Sequence, residues 1–280
     1  MKNLLRALIY QNQVSLTIVN TTEMVQKGMQ LHNLARGSAH LLGKALSLMT
    51  FMSACLKEEK GEISLSLKGD YVGEIAVSGN RQLNMRGYIL NTTAEDPALE
   101  EELLGGNSYL TIIRDDGYNR PFVGACGLPK GGLDAGFEEY FRISEQLPTR
   151  LCSIVEFDET GVAFAGVIAV QPLPFAEQAT LDKVAELPLS AILQKVKNEG
   201  TMSAFTEYFS QSTEGIEERK AGYKCNCSRR YLTRVLVSLG EEQMRQIIRE
   251  DGAVRVHCHY CSTDYEFTDE DADHLFPKGT

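Results

Sequence analysis

Four thiols restrict this chain more than any other feature: Cys225-Asn226-Cys227 and Cys258-His259-Tyr260-Cys261 form two close pairs thirty residues apart. Tetrahedral zinc takes four soft donors at about 2.3 Å, and a tight turn delivers two of them from one short pair. The intervening sequence suits such a knuckle. Ser228 is placed to cap a helix over Arg229 to Leu239, a second helix over Glu241 to Glu250 stops at Asp251-Gly252, and Val254 to His257 reads as a strand entering the second pair. Beyond Cys261, Tyr265 to Phe267 can pair back as a hairpin. The core available to this tail is Leu232, Leu236, Leu239, Ile247, Ile248, Val256 and Phe267, too little to fold a module of this size without a staple. Zinc is therefore expected to be that staple, and losing it to unfold the tail.

A permanent structural zinc ribbon is the ordinary use of such a site. The Cys-x-Cys spacing departs from it, because each pair can also close on itself as a disulfide, the Cys225 to Cys227 ring under strain. Strained, exposed disulfides are the labile and regulatory ones. His257 and His259 are expected to flank the metal, since four thiolates already complete a tetrahedron.

With 280 residues the chain is long enough for two or three units. Its formal charge of -10 opposes a phosphate backbone, so neither DNA nor RNA is an expected partner. Arg6, Gln11 and Gln13 interrupt the apolar N-terminus, leaving no signal-peptide core, and no run is long enough to span a membrane. A cytoplasmic location follows, and there clustered cysteines stay reduced and serve metal binding or redox chemistry.

The fold class expected is α+β: an N-terminal domain of mixed sheets and helices over residues 1–174, a helical linker region over 175–220, and a small C-terminal zinc-binding domain over 221–280. In the first part, Val14 to Val19 reads as a strand, and Gly37 to Lys57 as a helix with Leu41, Leu42, Ala45, Leu46, Met49 and Met52 on an apolar face. Alternation through Ile63, Leu65 and Leu67, then Val72 to Val77, predicts antiparallel strands. Tyr109 to Arg114 and Pro121 to Cys126 flank a hairpin turn, Asp134 to Ser144 is helical, and Val162 to Val170 is a buried strand. Pro172 and Pro174 end that strand. Three short helices follow, Phe175 to Glu186, Leu189 to Asn198 and Met202 to Phe209, whose stripes must lie on something because helices this short need packing. Gln211 to Lys220 reads as a polar connector.

Other chemistry is poorly supported. Cys55, Cys126 and Cys152 sit in apolar surroundings and read as core. His32 and His40 lack a nucleophile elbow or oxyanion signature, and Gly127, Gly131, Gly132 and Gly136 match no nucleotide fingerprint. No enzyme is indicated. A zinc-ribbon nucleic-acid regulator would need a basic face, and a thiol oxidoreductase using Cys258 and Cys261 would need a thioredoxin-like setting.

The Cys-x-Cys to Cys-x-x-Cys tail, with two connecting helices and Glu250-Asp251-Gly252 before the second pair, resembles the heat shock protein 33 family of redox-regulated 33 kDa chaperonins. Ser144-Glu145-Gln146-Leu147-Pro148-Thr149-Arg150 after Glu139-Tyr140-Phe141 is similar to the most recognisable stretch of that family, as is Gly166 to Pro174, so the likeness spans the chain. The resemblance implies an ATP-independent holdase for unfolding or oxidatively damaged proteins, inactive while reduced and holding one Zn2+ on Cys225, Cys227, Cys258 and Cys261. It further implies that oxidation pairs Cys225 with Cys227 and Cys258 with Cys261. Zinc then leaves, the tail unfolds, the linker loosens and homodimers form. The client-binding surface it suggests is the linker stripe of Leu181, Val184, Leu187, Ile192, Leu193 and Val196.

Overall fold

The computed structural model describes residues 2–209 and 215–277. By packing, the chain divides into two units, Met1–Lys224 and Cys225–Thr280. The first is built from β1 (Leu4–Ile9), β2 (Val14–Asn20), α1 (Thr22–Leu31), α2 (Arg36–Ala54), β3 (Glu62–Gly69), β4 (Gly73–Asn80), β5 (Asn84–Ile89) and α3 (Glu100–Leu104). It continues with β6 (Tyr109–Asp115), β7 (Phe122–Gly127), α4 (Gly132–Tyr140), β8 (Arg150–Asp158), β9 (Gly161–Pro172), α5 (Gln178–Glu186), α6 (Leu189–Glu199), α7 (Thr201–Phe209), β10 (Glu217–Arg219) and β11 (Gly222–Tyr223).

Two sheets enclose α2. One has the order β10-β1-β2-β9-β8 and the other β11-β5-β4-β3-β6-β7, and α2 packs on strands of both. The apolar face expected for this helix is buried, and so are Leu48, Phe51, Ser47 and Ser53 on its other sides. Two of the polar side chains on this enclosed helix are satisfied by its own carbonyls. Ser47 donates to the Gly43 carbonyl at 2.8 Å and lies 2.6 Å from the Thr21 hydroxyl, while Thr50 donates to Leu46 O at 2.7 Å. Gly43 is where α1 crosses: a Cβ there would stand 2.6 Å from Val25 Cγ1 and 3.0 Å from Val155 Cγ2.

The apolar run in β9 has the same cause. Val167 and Ala169 face the α2 side, whereas Phe164, Ile168 and Val170 face a second cluster formed with α5, α6 and α7. A strand buried on both faces reads as a continuous apolar run rather than an alternation. In β3 and β4, by contrast, Leu65 pairs with Val77 and Leu67 with Ile75, and the polar residues alternate outward.

The helices expected as a separate linker region form the outer layer of the first unit, over the sheet containing β1, β2 and β9. The connector read as merely polar contains β10, which pairs antiparallel with β1 through Leu4↔Arg219 and Leu5↔Glu218. Main-chain pairing recruits a polar segment that hydrophobic periodicity passes over. Then β11 joins β5 in parallel, so the first unit ends at Lys224, a few residues beyond the boundary expected at 220. Residues 210–214 of the connector lie outside the described residues.

The glycine-rich turn before α4 has an anion of its own. The Leu133 amide donates to Glu100 Oε1 and the Gly131 amide to Glu101 Oε1, both at 2.7 Å. Gly132 has φ of 74°, and a Cβ there would fall 2.4 Å from Glu100 Oε1. Glu100 also meets His40 Nε2 at 3.0 Å and Lys44 Nζ at 2.9 Å, and Lys44 reaches Asp134 at 3.5 Å. Burial raises the Glu100 pKa, but His40, Lys44 and the Leu133 amide outweigh it and bring the carboxyl down from 4.5 to about 2. A depressed carboxylate stabilises the fold above its unfolded pKa and loses that contribution as pH falls through the folded value. Glu100→Gln is therefore expected to cost about 3 kcal/mol at neutral pH, with the difference from the parent protein closing as pH approaches 2. Urea unfolding at pH 7 and pH 3 checks it; an equal cost at both would remove the electrostatic account.

The candidate metal centre

The second unit holds α8 (Arg229–Leu239), α9 (Glu241–Asp251), β12 (Val254–Cys258), β13 (Thr263–Phe267) and α10 (Asp269–Leu275). Ser228 caps α8 as expected, accepting the Tyr231 amide at 3.1 Å, and this fixes the turn that carries Cys225 and Cys227. Gly252, with φ of 81°, closes α9. The hairpin β12-β13 pairs Val254 with Phe267 and Cys258 with Thr263. At its tip the Cys261 and Ser262 amides both donate to Cys258 O, at 3.2 and 2.8 Å, turning the chain so that both sulfurs face one point.

The core of this unit is small: Leu236, Met244, Ile248, Val254, Phe267 and Ala272 are buried. Leu232, Ile247 and Val256 are half-buried, and Leu239, expected inside, is exposed in the last turn of α8. Arg229 lies 4.4 Å over the Phe267 ring and donates to Glu266 O and Asp271, both at 2.7 Å, tying α8 to the hairpin and to α10. That last helix was not anticipated. Its signal is the capping box of Thr268 and Asp271.

The four sulfurs converge. Cys225 Sγ and Cys258 Sγ are 3.7 Å apart, Cys227 Sγ and Cys261 Sγ are 3.2 Å apart, and all four lie within 4.8 Å of one another. A tetrahedron of sulfurs about 2.3 Å from zinc has edges of about 3.8 Å, so the donor set fits the ion in number, type and spacing. His257 is bonded across the hairpin to Asp264 at 2.7 Å, and the His259 ring stacks edge-on beside it at 5.3 Å. Neither belongs to the sulfur cluster.

Packed this closely, Cys227, Cys258 and Cys261 compete for ionisation. Burial pushes Cys227 up to about 12 and also raises Cys258. Burial opposes ionisation of Cys261 too, but the Thr263 hydroxyl 3.3 Å away and the neighbouring thiols bring it down to about 7. A divalent soft cation reverses this competition by allowing every sulfur to be a thiolate at once. Tyr265, 3.3 Å from Cys227 Sγ, is pushed to about 12 chiefly by that hydrogen bond and stays a donor at neutral pH. Sequence reasoning treated Tyr265 only as part of a strand.

Elsewhere the thiols are inert. Burial raises Cys55 and Cys126 and takes Cys152 to about 11. Of the linker residues, Val184, Ile192, Leu193 and Val196 are buried against the five-stranded sheet, while Leu181 and Leu187 are half-buried. The stretch Ser144 to Arg150 meets them: Arg150 donates to the Val184 carbonyl at the end of α5, and a cleft of about 680 Å³ opens between Pro148 and Leu181. His32 is satisfied by Gly87 O at 3.0 Å and the Tyr223 hydroxyl at 3.1 Å. No helix among the described residues is long and apolar enough to cross a membrane.

An α+β body joined to a small unit organised around four convergent thiols defines a protein with a candidate metal-thiolate centre. The family model described as Hsp33 protein matches residues 2–268. The chain is 32% identical over 270 residues to the 33 kDa chaperonin of Ruminiclostridium cellulolyticum, covering 91% of each. With the 33 kDa chaperonin of Bacillus cytotoxicus it shares 27% over 286 residues, covering 97% of each. The crystal structure of the 33 kDa chaperonin, a heat shock protein 33 homologue, from Thermotoga maritima superposes with a TM-score of 0.83 at 26% identity, over 98% of this chain and 97% of that one. This chain belongs to the Hsp33 family of chaperones.

Proposed function

We propose that this chain is a redox-regulated, ATP-independent holdase of the cytoplasm, a binding protein rather than an enzyme, whose clients are unfolding or oxidatively damaged proteins. The observation that carries the redox gate is the convergence of Cys225, Cys227, Cys258 and Cys261 in a unit with so small a core. One Zn2+, when bound by these four sulfurs, keeps them all as thiolates and supplies the cross-link that the core lacks. Thiolates are the species that oxidants attack.

Formation of Cys225–Cys227 and Cys258–Cys261 disulfides takes two electrons from each pair and removes all four donors. Such disulfides close very short loops, constrain the unfolded chain little and cannot restore the lost stability. Oxidation is then a net unfolding signal for the second unit. The client surface proposed is the stripe of Leu181, Val184, Leu187, Ile192, Leu193 and Val196 with the strands beneath it, which is supported by its large apolar area and by the shortness of the helices covering it. Homodimers form on activation.

Peroxide with mild heating should release one zinc per chain, consume four thiols and suppress aggregation of a heat-labile client enzyme, all in one sample. Zinc loss and thiol loss without that suppression would leave only a structural site.

A further inference from the structure

Among the described residues every edge strand but one is very short or charged. β8 carries Arg150, Glu156 and Asp158, β10 is Glu217, Glu218 and Arg219, β11 has two residues, and both strands of the β12-β13 hairpin carry charge. The exception is β7, Phe122-Val123-Gly124-Ala125-Cys126-Gly127, which ends the six-stranded sheet with no charged side chain and no proline. Edges are ordinarily blunted by such devices, because a row of unpaired main-chain groups templates another strand.

The edge is also held ready. On one side β7 pairs with β6 through six residues, from Arg114↔Phe122 to Tyr109↔Gly127, and no strand among the described residues pairs its other side. Its inner face is fixed by α4: a Cβ on Gly124 would stand 2.8 Å from the Tyr140 ring, and Cys126 is buried with Sγ 3.8 Å from Gly136 O. Asp116 accepts the Tyr118 and Asn119 amides at 2.8 and 2.7 Å, closing the tip of the β6-β7 hairpin. Phe122 and Val123 nevertheless stand 48% and 58% exposed, and a Cβ on Gly127 would meet only Ser108 O, at 3.9 Å.

We propose that β7 is a docking edge for an extended, uncharged segment of an unfolding polypeptide, which adds to the six-stranded sheet beside it. The occupant follows from the chemistry of the edge. Free N–H and C=O groups in a row match an extended main chain, which unfolding proteins expose and folded ones have already paired. A strand without charge sets apolar or neutral polar residues beside its own, and an edge already ordered adds no ordering cost to binding. This rests on the client class proposed above and adds a second contact, separate from the linker stripe and lying within the first unit.

The test uses the full-length, reduced, zinc-loaded protein and a fluorescein-labelled octapeptide of alternating valine and glutamine, followed by anisotropy. The parent protein should bind it. The same peptide N-methylated at two adjacent central residues, which blocks both of its edges, should bind about tenfold more weakly, the effect of losing one or two main-chain hydrogen bonds. Val123→Lys gives the edge the charge that other edges carry and should weaken the unmodified peptide by a similar factor. Tyr109→Lys, on the same face but one strand further in, should not.

A parent protein that binds neither peptide, or both alike, would overturn the inference; this comparison needs no variant, so it decides the matter even if Val123→Lys fails to fold. Equal weakening by Val123→Lys and Tyr109→Lys would move the contact to the sheet face and overturn it as well. So would a dimer of the reduced parent, seen by sedimentation, that Val123→Lys dissolves, because a second copy would then be the occupant. Each of these leaves the holdase reading standing where the oxidised parent protects a heat-labile client. An oxidised parent that protects none would overturn both.

Discussion

Replacing Cys258 with serine, or withdrawing metal with a strong chelator, is expected to unfold residues 225–277 while the first unit stays folded. The structure isolates the cause: six buried side chains form the core of the second unit, and few others of its apolar residues are buried. Structural zinc sites of this kind contribute about 10–16 kcal/mol of binding energy that is also folding energy. That is comparable to the whole stability of an ordinary domain, about 5–15 kcal/mol, so no surface ion pair such as Arg255 with Glu266 can compensate. Amide exchange should lose protection throughout α8, α9 and the β12-β13 hairpin. Protection in α2 and β9 should persist, because their contacts lie within the first unit. Retained protection of α9 in the metal-free protein would show that the thiol cluster is not the staple.

The second large effect is expected at Leu193. This side chain is fully buried between α6 and the five-stranded sheet, in a cluster separated from the α2 core by that sheet. Leu193→Ala should cost about 2–5 kcal/mol, and Leu193→Asp more, since a buried carboxylate without a partner is poorly tolerated. The cost falls on the outer helical layer. Its release should bare Leu16, Ile18, Ile168 and Val170 on β2 and β9, giving the reduced, metal-loaded protein the client protection proposed for the oxidised form. Proteolysis within residues 175–209 and an aggregation assay under reducing conditions would follow it. A protein whose helices open but whose client protection stays at the reduced level would sink the assignment of this surface to clients.

Much of the candidate centre was legible in sequence because it is local. The Ser228 cap, the Gly252 stop and the turn through Cys258 and Cys261 are each set by a few neighbouring residues, and the observed elements fall where those signals put them. What escaped was contact at a distance. Tyr265 read only as a strand residue, and Thr263 went unread, until the hairpin register placed their hydroxyls beside sulfur. Likewise nothing in the sequence marked Glu100, although it meets Lys44 and His40 and accepts the Leu133 amide at the turn before α4.

The larger body divides in the same way. The alternation in β3 and the unbroken apolar run in β9 made those elements visible; β1, α1, β5 and β8 were not separated, and in the last three inward positions held by Gly28, Gly87 and Ser153 blur the apolar period. The polar strand β10 exists only because β1 offers an edge, which no property of Glu217, Glu218 or Arg219 announces. From sequence alone came the identity and spacing of the metal donors, the local turns that present them, and an apolar stripe on short helices that had to be covered. Tertiary structure alone decided what covers that stripe, and which hydroxyls stand against the sulfurs. Donor chemistry and turn geometry are encoded within a few residues, whereas burial and hydrogen bonding across strands depend on where the rest of the chain comes to lie.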